Sequence, residues 1–106
     1  MLFSYNNKLE VLNTPNAKGF KLATVHQKEL VELTLMPGGE VPAHALPVNV
    51  DFYVVNGQGT ITIDGKDLSA QKGDVVSVGA NSQRGWQNNS DEKLILLVIK
   101  GVIEKQ

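Results

Sequence analysis

Apolar residues along this chain come in short runs, and polar turn residues cut the runs at close intervals. Gly, Asn or Pro mark Asn16-Ala17-Lys18-Gly19, Pro37-Gly38-Gly39, Asn56-Gly57, Asp64-Gly65, Lys72-Gly73, Gly79-Ala80-Asn81-Ser82 and Asn88-Asn89-Ser90-Asp91. Gly and Asn tolerate positive φ and Pro fixes φ, so each cluster predicts a reversal of the chain. Between the clusters, runs rich in Val, Ile, Leu, Thr and aromatics fall at 20–25, 30–36, 50–55, 60–63, 74–78 and 94–99. Short strands at this spacing predict an all-β sandwich or barrel.

Two two-residue loops, Ile63-Asp64-Gly65-Lys66 and Val55-Asn56-Gly57-Gln58, have the composition of type I′ hairpin turns. The alternation Thr60-Ile61-Thr62-Ile63 turns Ile61 and Ile63 to the core and the threonines outward. No segment keeps apolar residues at helical spacing over three turns, which leaves room only for a short helical turn near the N-terminus.

The run Leu94-Ile95-Leu96-Leu97-Val98-Ile99 is apolar at every position, the pattern of a strand covered on both faces. A barrel of this size lines its interior with one face and has no second layer for the other. A partner subunit or the chain's own N-terminal segment, with Met1, Leu2, Phe3 and Tyr5, is expected to cover it, and a homodimer is favoured.

The chain has 106 residues, enough for one domain with one core. It contains no cysteine, which excludes disulfides, thiolate ligands and a cysteine nucleophile, and fits a reducing, cytoplasmic setting. The opening residues lack the basic and apolar regions of a signal peptide, and no run is long enough for a membrane helix. Ten basic and eleven acidic residues are scattered to a net charge of −1, so there is no basic stripe for nucleic acid and no charged face for a membrane.

The stretch from Pro37 to Asn88 resembles the two motifs of the cupin family. The first motif runs Gly, five residues, His-x-His, three or four residues, Glu, six residues, Gly. Here Gly38 and His44 hold their places, Leu46 stands at the second His, and Val50 stands six residues before Gly57 at the Glu. The second motif runs Gly, five residues, Pro-x-Gly, two residues, His, three residues, Asn. Gly73 opens it and Asn88 closes it, with Gly79, Asn81 and Arg84 at the Pro, Gly and His positions. The resemblance implies a double-stranded β-helix (jelly-roll) cupin barrel spanning residues 1–106. Its motifs lie at 37–59 and 73–88, and its N-terminal strand region, 1–25, is a candidate for exchange between subunits.

The family's metal is held by three His and one Glu, and those positions carry over to His44, Leu46, Val50 and Arg84. One ligand remains, and a permanent cation replaces a lone-pair donor, so no metal and no other cofactor are expected. Two residues are weighed as substitutes. Asp51 is one residue past the Glu position and therefore on the opposite face unless a bulge intervenes. His26 lies far from His44 if the strand at 30–36 folds back onto the strand of His44, which would pair His44 near Leu33.

The expected pocket comprises His44, Leu46, Val50, Phe52, Val54, Arg84 and Trp86. His44 is either an acid/base or a hydrogen-bonded lining residue. The apolar residues either touch a ligand or fill the barrel. Arg84 either anchors an anion, pairs with a neighbouring carboxylate such as Glu32 or Asp51, or reaches solvent at the mouth, and Trp86 shares its face. Glu40 is expected on the surface. Three functions follow. The first is metal-free binding of a small, anionic organic molecule, as a sensor, carrier or accessory subunit. The second is a metal-independent isomerase, epimerase or cyclase with His44 as base and Arg84 as oxyanion stabiliser. The third, a metal-dependent dioxygenase or isomerase, is opposed by the ligand count.

Overall fold

The structure, a computed structural model, describes residues 1–103. Ten strands follow in order: β1 (Leu9–Thr14), β2 (Ala17–Val25), β3 (Lys28–Leu35), β4 (Glu40–His44), β5 (Val50–Asn56), β6 (Gln58–Ile63), β7 (Lys66–Gln71), β8 (Val75–Val78), β9 (Arg84–Gln87) and β10 (Leu94–Gly101). They form two antiparallel sheets, a six-stranded one in the order β1-β2-β3-β10-β5-β8 and a four-stranded one in the order β4-β9-β6-β7. The expected helical turn near the N-terminus is a single 3-10 turn, Tyr5–Asn7.

The core lies between the sheets. The large sheet contributes alternate residues such as Leu33, Leu35, Phe52, Val54, Leu94 and Leu96, and the small sheet answers with Ile61, Ala70 and Trp86. Ile61 is fully buried and Ile63 packs half-buried against the same cluster, as their period-two spacing requires.

The two proposed hairpins separate. Ile63 pairs with Lys66, and Asp64 and Gly65 take φ of 48° and 83°, the positive values of a type I′ turn. Asn56-Gly57 does not close a hairpin. β5 pairs with β10 and β8, whereas β6 pairs with β7 and β9 in the other sheet. Gly57, at φ 85°, turns a corner between sheets, and a Cβ there would strike the carbonyl of Lys93. The two uses share one local signal, positive φ; only the partners of the flanking strands tell them apart. The turn expected at 16–19 also moves. Pro15 and Asn16 form it, and Ala17 already pairs with Thr14. His26 and Gln27, at φ 50° and 62°, close a further hairpin between β2 and β3 without any glycine.

The strand β10 is central in the large sheet, between β3 and β5. Leu94, Leu96 and Val98 are buried against the core, while Ile95, Leu97 and Ile99 are half-buried on the outer face. The N-terminal turn lies beside that face: the Tyr5 hydroxyl donates to Glu32 Oε1 at 2.6 Å, and Glu32 pairs with Leu97. The bond to the Glu32 carboxylate, more than desolvation or charge repulsion, raises the Tyr5 phenol above its ordinary value. Met1 and Leu2 stay exposed.

Asn88 ties the sheets at one end. Its side chain is fully buried and donates through Nδ2 to the carbonyls of Leu35 (3.0 Å) and Glu92 (2.7 Å). Its Oδ1 accepts from Ser90 N (3.0 Å) and Ser90 Oγ (2.7 Å), and its backbone bonds Gly38 and Gly39. Truncation would strand the Leu35 carbonyl away from water, since buried acceptors without partners lose their hydration for nothing. We expect Asn88→Ala to cost roughly 2–3 kcal/mol and lower the melting temperature by roughly 10–20 °C. Differential scanning calorimetry checks this; an unchanged melting point would show the clamp to be dispensable.

Candidate functional site

The chemistry of the interior starts at β9, where Arg84 and Trp86 point to the same side of the strand. Arg84 is 5% exposed and Trp86 3%. The intervening Gly85 lets β4 come close: a Cβ there would sit 2.8 Å from the Val41 carbonyl and 2.9 Å from the Ala43 nitrogen. Next to this contact the β4–β9 register shifts between Val41 and His44, and His44 pairs with Arg84. The expected pairing of His44 near Leu33 is therefore wrong. The strands β3 and β4 belong to opposite sheets, because Pro37-Gly38-Gly39 carries the chain across the barrel rather than back along it.

Arg84 and Trp86 help line a cavity of about 290 Å³ between the sheets. Its walls include Val31, Leu33, Phe52 and Val98 from the large sheet, with Leu46 and Val41 opposite. Phe52 meets Trp86 edge to face, centroids 5.4 Å apart. Among the described residues, the basic ones on the wall are His44, Arg84 and Lys100, and no acidic one lines it.

The Arg84 guanidinium donates through Nη1 to the His44 carbonyl at 3.0 Å, whereas Nε is buried without a protein partner, as is Trp86 Nε1. Burial pushes Arg84 below its ordinary pKa, because desolvation penalises the cation. The carboxylates weighed as partners are both outside the barrel. Glu32 accepts from Tyr5, and Asp51 Oδ1 accepts from Ser77 Oγ at 2.7 Å. The His44 ring is exposed, with Nδ1 3.0 Å from the Pro42 carbonyl. A carbonyl only accepts, so a hydrogen bond at this contact is donated by Nδ1–H. Lys100 Nζ and Lys21 Nζ each lie 3.9 Å from the Glu29 carboxylate, so two lysines share one counter-charge.

Of the seven residues expected in the pocket, the cavity brings together His44, Leu46, Phe52, Arg84 and Trp86. Val50 and Val54 are corrections. Both are fully buried in the core and neither lines the cavity, since well-packed neighbours reach them first. Sequence reasoning missed Lys100, Val31, Leu33 and Val98. Lys100 was within reach of a parity argument, as it continues the inward series Leu94, Leu96, Val98. The β1 contributors Leu12 and Val11 carried no clear signal in the sequence.

The donor set does not fit the family's metal. The four ligand positions hold an exposed imidazole, an aliphatic Leu46, a core Val50 and a guanidinium that offers no lone pair. Neither substitute repairs this. Asp51 faces out toward Ser77, and His26 sits in the β2–β3 turn, away from the cavity wall. Among the described residues no three His, Cys, Asp or Glu side chains gather into a metal-binding group. Untagged, dialysed protein should therefore carry far less than one equivalent of Fe, Mn, Ni, Cu or Zn by elemental analysis. Near-stoichiometric metal that vanishes in His44→Ala would place a metal site at this cavity after all.

The same architecture recurs widely among solved structures. An RmlC-like cupin from Shewanella frigidimarina superposes with a TM-score of 0.82 at 21% identity, covering 97% of this chain and 92% of the other. A predicted oxalate decarboxylase from Thermotoga maritima gives 0.81 at 17% identity, covering 97% and 100%. The polyketide cyclase RemF from Streptomyces resistomycificus gives 0.83 at 14% identity, covering 100% and 82%. At these identities the likeness is one of fold. No curated protein sequence matches the chain. The family model for the cupin domain matches residues 31–100, which include both motif regions and every strand from β4 to β9. By that match and by the two-sheet barrel, this chain belongs to the cupin family.

Proposed function

We propose that this cupin works without a metal and binds a small organic molecule in its barrel, with an anionic end directed at Arg84. The observation that carries the reading is a buried guanidinium on the wall of an apolar cavity to which no carboxylate among the described residues contributes. A buried cation without a counter-ion costs stability, and such a cost is retained where a site needs it. An apolar recess with few convergent polar groups is the usual form of a small-molecule site. A cytoplasmic sensor, carrier or accessory subunit fits this reading and the cysteine-free composition.

A second reading, a metal-independent isomerase, epimerase or cyclase, draws support from His44 on the cavity wall. It lacks the carboxylate that would orient and charge-balance the imidazole, so binding is preferred. His44→Gln separates the two, because it would end turnover and leave ligand affinity largely intact.

Trp86 is the sole tryptophan and lines the cavity, so its emission reports occupancy directly. Titration with a set of small organic acids and their neutral analogues should give saturable emission changes that disappear in Val98→Phe, which fills the cavity. A ligand at ~100 times its Kd should stabilise the fold by ~2.7 kcal/mol, a melting shift of roughly 10 °C or more. If no compound perturbs Trp86, or Val98→Phe responds as the parent does, the barrel is not a binding site.

We also propose that the chain is a homodimer. The outer face of the large sheet carries Ile95, Leu97 and Ile99 beside the more exposed Tyr53 and Val75, and the N-terminal Met1, Leu2 and Phe3 extend the apolar surface. Patches of this kind on small proteins are commonly covered by another subunit. Light scattering at micromolar concentration should give twice the 11.5 kDa chain mass, and Leu97→Lys should reduce it toward the monomer. A monomer in the parent protein would overturn the assignment.

A further inference from the structure

The charges and donors around the cavity narrow its ligand to one chemical class. Lys100 has the Glu29 carboxylate as a neighbour, at 3.9 Å, and shares it with Lys21. Arg84 has no carboxylate neighbour at all among the described residues, while Nη1 spends a single hydrogen bond on the His44 carbonyl. The cavity wall at Arg84 thus carries one unmatched positive charge. It also carries the planar guanidinium fork, whose Nε is buried without a partner, as is the indole N–H of Trp86 two residues on. A carboxylate is the planar monoanion that accepts from such a fork with both oxygens.

The remaining wall determines the rest of the ligand. Val31, Leu33, Phe52 and Val98 offer no hydrogen-bonding side chain, so hydroxyl groups laid against them would give up water and find no partner. A cavity of about 290 Å³ holds the volume of about ten water molecules at ~30 Å³ each, which limits the ligand to a small body. A dianion's second charge would lie against Val31, Leu33, Phe52 and Val98, which offer it no donor.

From these features we infer that the ligand is an amphipathic monocarboxylate, held by Arg84 through its carboxylate and by Val31, Leu33, Phe52 and Val98 through an aliphatic or aromatic body. The inference rests on the barrel being a binding site, as proposed above, and adds the class of molecule it selects.

Trp86 emission titrations with matched pairs test the class: hexanoate against hexanamide and 3-phenylpropionate against 3-phenylpropionamide, with phenyl phosphate and glutarate as dianions. Each acid is expected to bind at least roughly tenfold tighter than its amide, the effect of one charge-assisted contact, and tighter than either dianion. Arg84→Gln should bring acid and amide to nearly equal affinity, while Lys100→Gln should keep the preference. Without ligand, Arg84→Met should melt higher than the parent protein, because an unpaired buried cation has gone. Should Arg84→Gln not fold, Arg84→Lys keeps the charge but not the fork and should lose part of the preference for acid over amide. Equal affinity of acid and amide, tighter binding of a dianion, or an acid preference that is undiminished in Arg84→Gln or in Arg84→Lys would overturn the inference while leaving the barrel a binding site. Silence of Trp86 toward every compound, neutral ones included, would instead remove the binding reading itself.

Discussion

Asn88 is the point at which two separate crossings of the barrel are joined. The link from β3 to β4 and the link from β9 to β10 both leave one sheet for the other, and such crossings expose backbone groups that no ladder satisfies. One amide side chain supplies both donors and acceptors to them, with Leu35 and Glu92 on one side and Ser90 on the other. Because β9 leads directly into Asn88, this clamp also fixes the phase of Arg84 and Trp86. A slip of one residue there would turn both out of the barrel. The position of the site thus depends on a residue that does not touch it.

With the strand phase fixed, Arg84 becomes the least comfortable group in the molecule. Its cation is desolvated, its nearest protein acceptor is a neutral carbonyl, and the carboxylates that might have paired with it point outward. Stability alone would favour an apolar residue at this position. The anion recognition proposed above would account for a guanidinium in a wall lined otherwise by valine, leucine and aromatic rings, since it is the chemistry a guanidinium does best.

Much of this was legible in the sequence. The strand runs, the Asp64-Gly65 hairpin, the inward phase of Ile61 and Ile63, and the shared face of Arg84 and Trp86 all follow from period-two alternation and turn chemistry, which are local. The motif spacing set His44, Leu46, Val50 and Arg84 at the family's four ligand positions, three of which carry no metal-ligating side chain. These conclusions need only the identity of neighbouring residues along the chain.

What the tertiary structure decided is which strands meet. Asn56-Gly57 carries the same dipeptide signal as a hairpin but turns a corner, and Pro37-Gly38-Gly39 sends β4 across the barrel instead of back onto β3. Pairing of this kind joins residues distant in sequence, as when His44 meets Arg84, and nothing local records it. The same limit explains the cavity wall. Val50 and Val54 have the same inward phase as Phe52, yet neighbouring side chains fill the space around them and leave Phe52 at the void. Alternation determines which way a side chain points; only the packing of both sheets determines what it meets there.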